Sequence, residues 1–315
     1  MSLEISRASE EGLDVTRITN TENGTSVGIL PGSGALWHSW TVKRGSETVE
    51  LIDHYTDGAD LQKGLSQSYK SAKLSPFACR IPDGKYTFQG KHYEFARKFS
   101  DGNAIHGLLF DRPFSQGEPV SRGDAASVEF LYSYRKDDPG YPFDYDCTVT
   151  YTLNANNRVT IDTLIKNAGS GAIPIVDGWH PYFTTGSRVD GCRLRFASDR
   201  MVEFNDRLIP TGKFLPYDRF SRERPLGDIM LDNAFMLDHK APQPLCSYYD
   251  PDKDIRLNIY PSENYLVLQL YIPPSRRSIA IETLSGAPDA FNNGIGLILL
   301  DPGTSRQFSV TYEVA

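Results

Sequence analysis

The chain has 315 residues, 39% of them hydrophobic and 23% charged, with a formal net charge of −7 and a pI of about 5.4. That balance fits a soluble globular protein; it excludes the basic surface that nucleic acid demands and offers nothing to hold an anionic membrane. No apolar run reaches the roughly 20 residues of a spanning helix, and the first twenty residues lack the basic-then-apolar order of an export signal, so a cytoplasmic location is expected.

Helical signals are scarce, and only a stretch such as 60–73 could hold a turn or two. Strand signals recur from end to end, among them "SVEFLYSY" (127–134). "DCTVTYTL" (146–153) and "RVTIDTLI" (158–165) follow, separated by "NANN", which is good turn chemistry and predicts a hairpin. Further strands are expected at 254–260, 265–272, 278–283 and 296–301. The last, "QFSVTYEV" (307–314), is the clearest: Phe308, Val310, Tyr312 and Val314 take one face while Gln307, Ser309, Thr311 and Glu313 take the other. Twenty prolines and 26 glycines punctuate the chain, which suits many short strands joined by loops. With no linker-like stretch, composition shift or repeat, residues 1–315 read as a single large all-β domain. Cys79, Cys147, Cys192 and Cys246 fit no metal or redox spacing and read as buried free thiols.

Strand alternation leaves the loops and strand ends to carry chemistry. Arg80, between Cys79 and Ile81, is expected to be partly buried, with a fork suited to gripping a carboxylate or paired hydroxyls. His106 precedes a glycine that permits close backbone approach or positive φ. His180 sits in "DGWHPYF", where Pro181 biases it to an extended backbone and rings surround it. An imidazole near its ordinary pKa of about 6.5 can give or take a proton at neutral pH. Asp232, in "IMLDNAFMLD", has apolar neighbours and needs a partner. Glu282 ends the apolar run "SIAIET"; burial there would raise its pKa and make it a better base near neutrality. Taken singly, each has a structural reading: a core histidine, a strand-end carboxylate, an ion pair. Together they supply two imidazoles, two carboxylates and a guanidinium, without a phosphate loop or nucleophile motif. That set points to proton transfer on an uncharged, polyhydroxylated ligand.

The ordered segments "NAIHGLLF", "DPGYPFDYDCTVTYTL", "KNAGSGAIPIVDGWHPYF", "LDNAFMLD" and "IAIETLSGAPDAFNNGIGLILLDPGTS" resemble the successive motifs of the aldose 1-epimerases, or galactose mutarotases, across about residues 75–315. The resemblance implies a large twisted antiparallel β-sandwich with the sugar in a groove on one face. It implies that His180 is the general acid at the ring oxygen and Glu282 the general base on the anomeric hydroxyl, with His106 near the reacting end. Asp232 and Arg80 would hold ring hydroxyls; of the rings beside His180, Trp179 is expected at the substrate, with Tyr182 and Phe183 as the alternatives for the pocket wall. It implies no cofactor, because anomer interconversion involves neither redox change nor group transfer. The partner would be a small aldose, bound by a monomer or homodimer. A silent sugar-binding sandwich and an epimerase of a hexose phosphate stay open as alternatives. For a phosphate, Arg276-Arg277 and Arg222 with Arg224 are the candidates, and they are expected to be solvated loop charges. Glycoside hydrolysis by Asp232 and Glu282 would leave both histidines unexplained.

Overall fold

In the structure, a computed structural model that describes residues 3–315, strands occupy the alternating segments. The C-terminal one spans Ser305–Val314, and Phe308, Val310, Tyr312 and Val314 are buried. Asp144–Asn154 and Arg158–Asn167 form the expected hairpin, with Tyr151 opposite Ile161 and Val149 opposite Thr163. These strands belong to a ten-stranded sheet whose middle runs Ala125–Arg135, the hairpin, Ser305–Val314, Ile255–Pro261 and Cys246–Asp250. An eight-stranded sheet sets Asp232–Met236, Val267–Tyr271, Ile279–Leu284 and Gly178–Trp179 side by side. Every pair of named strands is antiparallel.

Five strands between Leu3 and Glu50 make a third sheet, in simple sequential order. Sequence pattern does not single it out, and the reason is burial. Ser26–Leu30 is buried at every position, as is Leu36–Trp40 at the start of the next strand. A strand covered on both faces shows no polar alternation. The three sheets meet at one aromatic junction. Trp37 of the N-terminal sheet lies 4.9 Å from Tyr312 of the ten-stranded sheet and 6.0 Å from Phe183 of the eight-stranded sheet, centroid to centroid. A continuous buried apolar cluster runs from Leu13 to Val314.

The main helix is Gly58–Ser68, earlier in the chain than 60–73. Asp57 caps it, accepting from the Asp60 N–H at 2.8 Å. Tyr69 ends it in the left-handed conformation, its N–H closing on Leu65. Residues 70–73 cannot continue the helix because Lys73–Leu74 is a strand paired to Gly178–Trp179.

Candidate active site

The pleat of the eight-stranded sheet decides which side chains meet. Gln269 lies opposite Glu282, Asp232 opposite Tyr271, and Tyr182 opposite Ala280. Residues directly opposite, or two apart along a strand, share a face. Glu282, Gln269, Asp232, Tyr271 and Tyr182 therefore project together from the side away from the core. They line a hollow of about 400 Å³, with His106, His180, Arg80 and Cys79 completing its wall. That volume falls within the range of small-molecule clefts, about 300–1,000 Å³.

The two histidines arrive from loops that the backbone fixes. The His180 N–H donates to the Ala72 carbonyl at 3.1 Å, and the His180 carbonyl accepts from Ser71 at 2.8 Å. Its ring stacks on Tyr182 at 4.9 Å, with only 2° between the planes, and meets the His106 ring edge-on at 4.9 Å. His180 Nε2 stands 3.4 Å from Glu282 Oε1. His106 has φ of +59°, and its N–H bonds the Cys79 carbonyl at 3.0 Å. The following Gly107 has φ of +79°, and a Cβ there would fall 2.3 Å from the Ser75 carbonyl oxygen, so only glycine fits.

Burial dominates the electrostatics. It pushes the His180 pKa down to about 3, and that of His106 well below the usual range. It raises Glu282 well above an ordinary carboxylate, helped by the nearby Asp232 charge. Asp232 is raised by burial too, against the pull of Arg80 and a 3.0 Å hydrogen bond from Gln269 Nε2. His180 is thus far from the ordinary imidazole of the sequence reading. Burial thus favours the neutral imidazole and the neutral carboxyl. Four buried polar atoms here have no protein partner: His106 Nδ1, His180 Nδ1, Glu282 Oε2 and Gln269 Oε1. Buried polar groups are normally satisfied, so four unpartnered atoms around one hollow mark it as the candidate binding site.

The structure brings His106, His180, Asp232, Glu282 and Arg80 to one hollow. Arg80 is half-buried and already ion-paired to Asp101 at 3.1 Å. Trp179 is corrected: it is a core residue. It lies opposite Thr283, one step out of phase with Glu282, so the pleat sends it to the other face. There its ring meets Tyr151 edge-on at 5.9 Å and its N–H reaches Thr163 at 3.4 Å. Phe183 is likewise core, and Tyr182 is the ring that lines the pocket. Arg276 is corrected as well. It is not a solvated loop charge, since it pairs with Asp190 at 2.6 Å and donates to the carbonyls of Gly227 and Ile229. Gln269 escaped the sequence reading. Its signal was there, a lone amide inside "YLVLQLYI", at a position costly to bury without a role. Cys79 escaped too; its sulfur, a His106 nitrogen and a Glu282 oxygen all lie within 4.8 Å of one another.

With this geometry in place, comparison with known proteins is informative. The aldose 1-epimerase family model matches residues 14–313. The Escherichia coli K12 protein YihR is 28% identical over 303 residues, covering 91% of this chain and 92% of that one. The maltose epimerase of Levilactobacillus brevis is 24% identical, covering 95% of each chain. The aldose 1-epimerase of Streptococcus thermophilus is 23% identical, covering 95% of this chain and 94% of that one. Among solved structures, a galactose mutarotase-like protein from Clostridium acetobutylicum superposes with a TM-score of 0.88 at 18% identity, covering 99% of this chain and 98% of that one. An aldose epimerase homologue from C. elegans superposes at 0.83 and 21% identity, covering 100% and 99%. The fold is therefore galactose mutarotase-like.

Proposed function

Because this chain belongs to the aldose 1-epimerase family, we propose that it is a mutarotase that interconverts the α and β anomers of a free aldose. The observation that carries the reading is the His180–Glu282 pair, two buried acid–base groups 3.4 Å apart in the wall of a sugar-sized hollow. The proton that rests on Glu282 first passes to His180 Nε2, 3.4 Å away, which arms both groups. Glu282 takes the proton of the C1 hydroxyl while His180 Nε2–H protonates the ring oxygen, and the C1–O5 bond breaks. The aldehyde rotates about C1–C2 and presents its other face. On reclosure, the O5 hydroxyl attacks C1 and its proton returns to His180, while Glu282 gives its own back to O1. One proton stays on the pair throughout.

Desolvation drives this exchange. An imidazolium in a dry pocket is a stronger acid than in water, and a carboxylate there is a stronger base. Both therefore discharge as the ring opens. Gln269, Asp232 and Arg80 supply donors and acceptors for the remaining hydroxyls. The cations of the lining, Arg80 and Lys70, are each paired to a carboxylate, Asp101 and Asp53. Each cation is thus partly neutralised by its carboxylate, which favours a neutral sugar over a phosphate.

The test is polarimetry or NMR on freshly dissolved α-glucose and α-galactose, extended to other aldoses. Equilibration faster than buffer is expected for at least one. No acceleration for any common aldose sinks the proposal. Calorimetric sugar binding without acceleration would select a silent binding protein instead.

A further inference from the structure

We propose that Cys79, His106 and Glu282 form a zinc-class metal site, and that metal and sugar exclude one another from the pocket. The three side chains offer a sulfur, an imidazole nitrogen and a carboxylate oxygen, all within 4.8 Å of one another. All three residues are buried, and His106 Nδ1 and Glu282 Oε2 have no hydrogen-bond partner. Among the described residues, no other group of three such donors comes this close.

The backbone is committed to this arrangement. Cys79 has φ of +55° and His106 of +59°, a region that non-glycine residues seldom enter. The His106 N–H bonds the Cys79 carbonyl at 3.0 Å, locking the two strained residues together. Strain of this kind collects at functional sites.

Asp232 lies near Cys79 and Glu282, and Arg80 near Cys79 and His106, so the three donors sit between a carboxylate and a guanidinium. Arg80 is itself tied to Asp101. A divalent ion bound to a thiolate and a carboxylate leaves that set with no net charge, which removes most of the cost of burying ions. Thiolate and imidazole select zinc and its neighbours over magnesium or calcium. Tetrahedral zinc takes sulfur at about 2.3 Å and nitrogen or oxygen at about 2.0–2.2 Å, so the widest donor separation must contract by about 1 Å. Three protein ligands leave a fourth position for water. Binding displaces the protons of the thiol and the carboxyl, about two per metal, because both groups must be deprotonated to ligate.

The exclusion of sugar rests on the mutarotase reading, since it removes Glu282 as the base; the metal site itself does not. The experiment therefore has two arms. In the first, cobalt(II) is titrated into untagged, reduced protein and absorption is recorded. A thiolate-to-cobalt charge-transfer band in the near ultraviolet is expected, bleached by excess zinc and untouched by magnesium. Cys79→Ser should abolish it. His106→Gln should weaken binding by more than the roughly 10–100-fold that loss of an outer-shell partner costs. No band on the wild-type protein, or an undiminished band in folded Cys79→Ser, overturns the site. Should Cys79→Ser not fold, unchanged cobalt affinity in His106→Gln overturns it equally. In the second arm, zinc is expected to inhibit mutarotation competitively with sugar, and EDTA to reverse it. A cobalt band without zinc inhibition overturns the exclusion. Absence of any mutarotation leaves the first arm intact and speaks only against the proposed activity.

Discussion

Two groups of ionisable side chains are buried on opposite faces of the same sheet, and they are built to different rules. On the core face, Lys73 bonds Asp177 and the Gly178 carbonyl, and its ammonium lies 4.7 Å from the centre of the Trp179 ring. The other Asp177 oxygen accepts from the Tyr265 hydroxyl at 2.9 Å, and the Asp177 N–H is held by Ser285. Every polar atom of that ion pair has a partner. On the pocket face, His106, His180, Glu282 and Gln269 each keep a buried polar atom without one. Both groups bear the cost of desolvation. The first recovers it inside the protein; the second does not. Burial of charge therefore does not distinguish the two faces; the pocket face differs in gathering four unpartnered polar atoms around one hollow, whereas others, such as Thr283 Oγ1 and Tyr312 Oη, lie outside its lining.

The sharpest way to break this contrast is to disarm the pocket face. Glu282→Gln and His180→Asn should each lower kcat for mutarotation by roughly 10²–10⁴-fold, the usual worth of one acid–base group. Polarimetry reads the rate, and circular dichroism should report an unchanged fold. Disarming the core face should do the reverse. Lys73→Met leaves Asp177 buried and uncompensated, and a stability loss of about 3–5 kcal/mol is expected by urea unfolding. Lys73→Met with Asp177→Leu should recover much of that loss.

Gln269→Met keeps the volume but removes the amide beside Asp232 and Glu282. We expect a weakening of about 1–3 kcal/mol in kcat/KM, with little change in denaturation midpoint. Trp179→Phe tests the correction made above. It should cost stability by about 0.5–3 kcal/mol and leave kcat/KM within twofold, as for any core residue remote from substrate.

The smallest effect is a flat one. With His180 lowered to about 3 and Glu282 raised, the pair gains a second proton only near the lower value and loses its last well above an ordinary carboxylate. Protonation of His180 should therefore cause no fall in background-corrected kcat/KM between roughly pH 7 and 5, where an ordinary imidazole with pKa of about 6.5 would titrate. A tenfold drop across that interval would show that His180 is not desolvated as the structure has it.

The amino-acid sequence alone determined much of this. Period-two alternation located Ser305–Val314 and the hairpin of Asp144–Asn154 with Arg158–Asn167, because a half-buried strand writes its two faces into its composition. It also presented His106, His180, Asp232 and Glu282 as polar groups in apolar or glycine-rich company, where they needed a reason. Other features were decided only by tertiary structure. Strands buried on both faces, such as Ser26–Leu30, carry no alternation to read. Trp179 and His180 are adjacent in sequence, yet one packs into the core and the other faces the pocket, because the register against Ile279–Leu284 fixes which way each side chain points. Cys79 and Gln269 joined the site for the same reason: antiparallel pairing and loop closure bring distant residues within a few ångströms, and no local pattern records that approach.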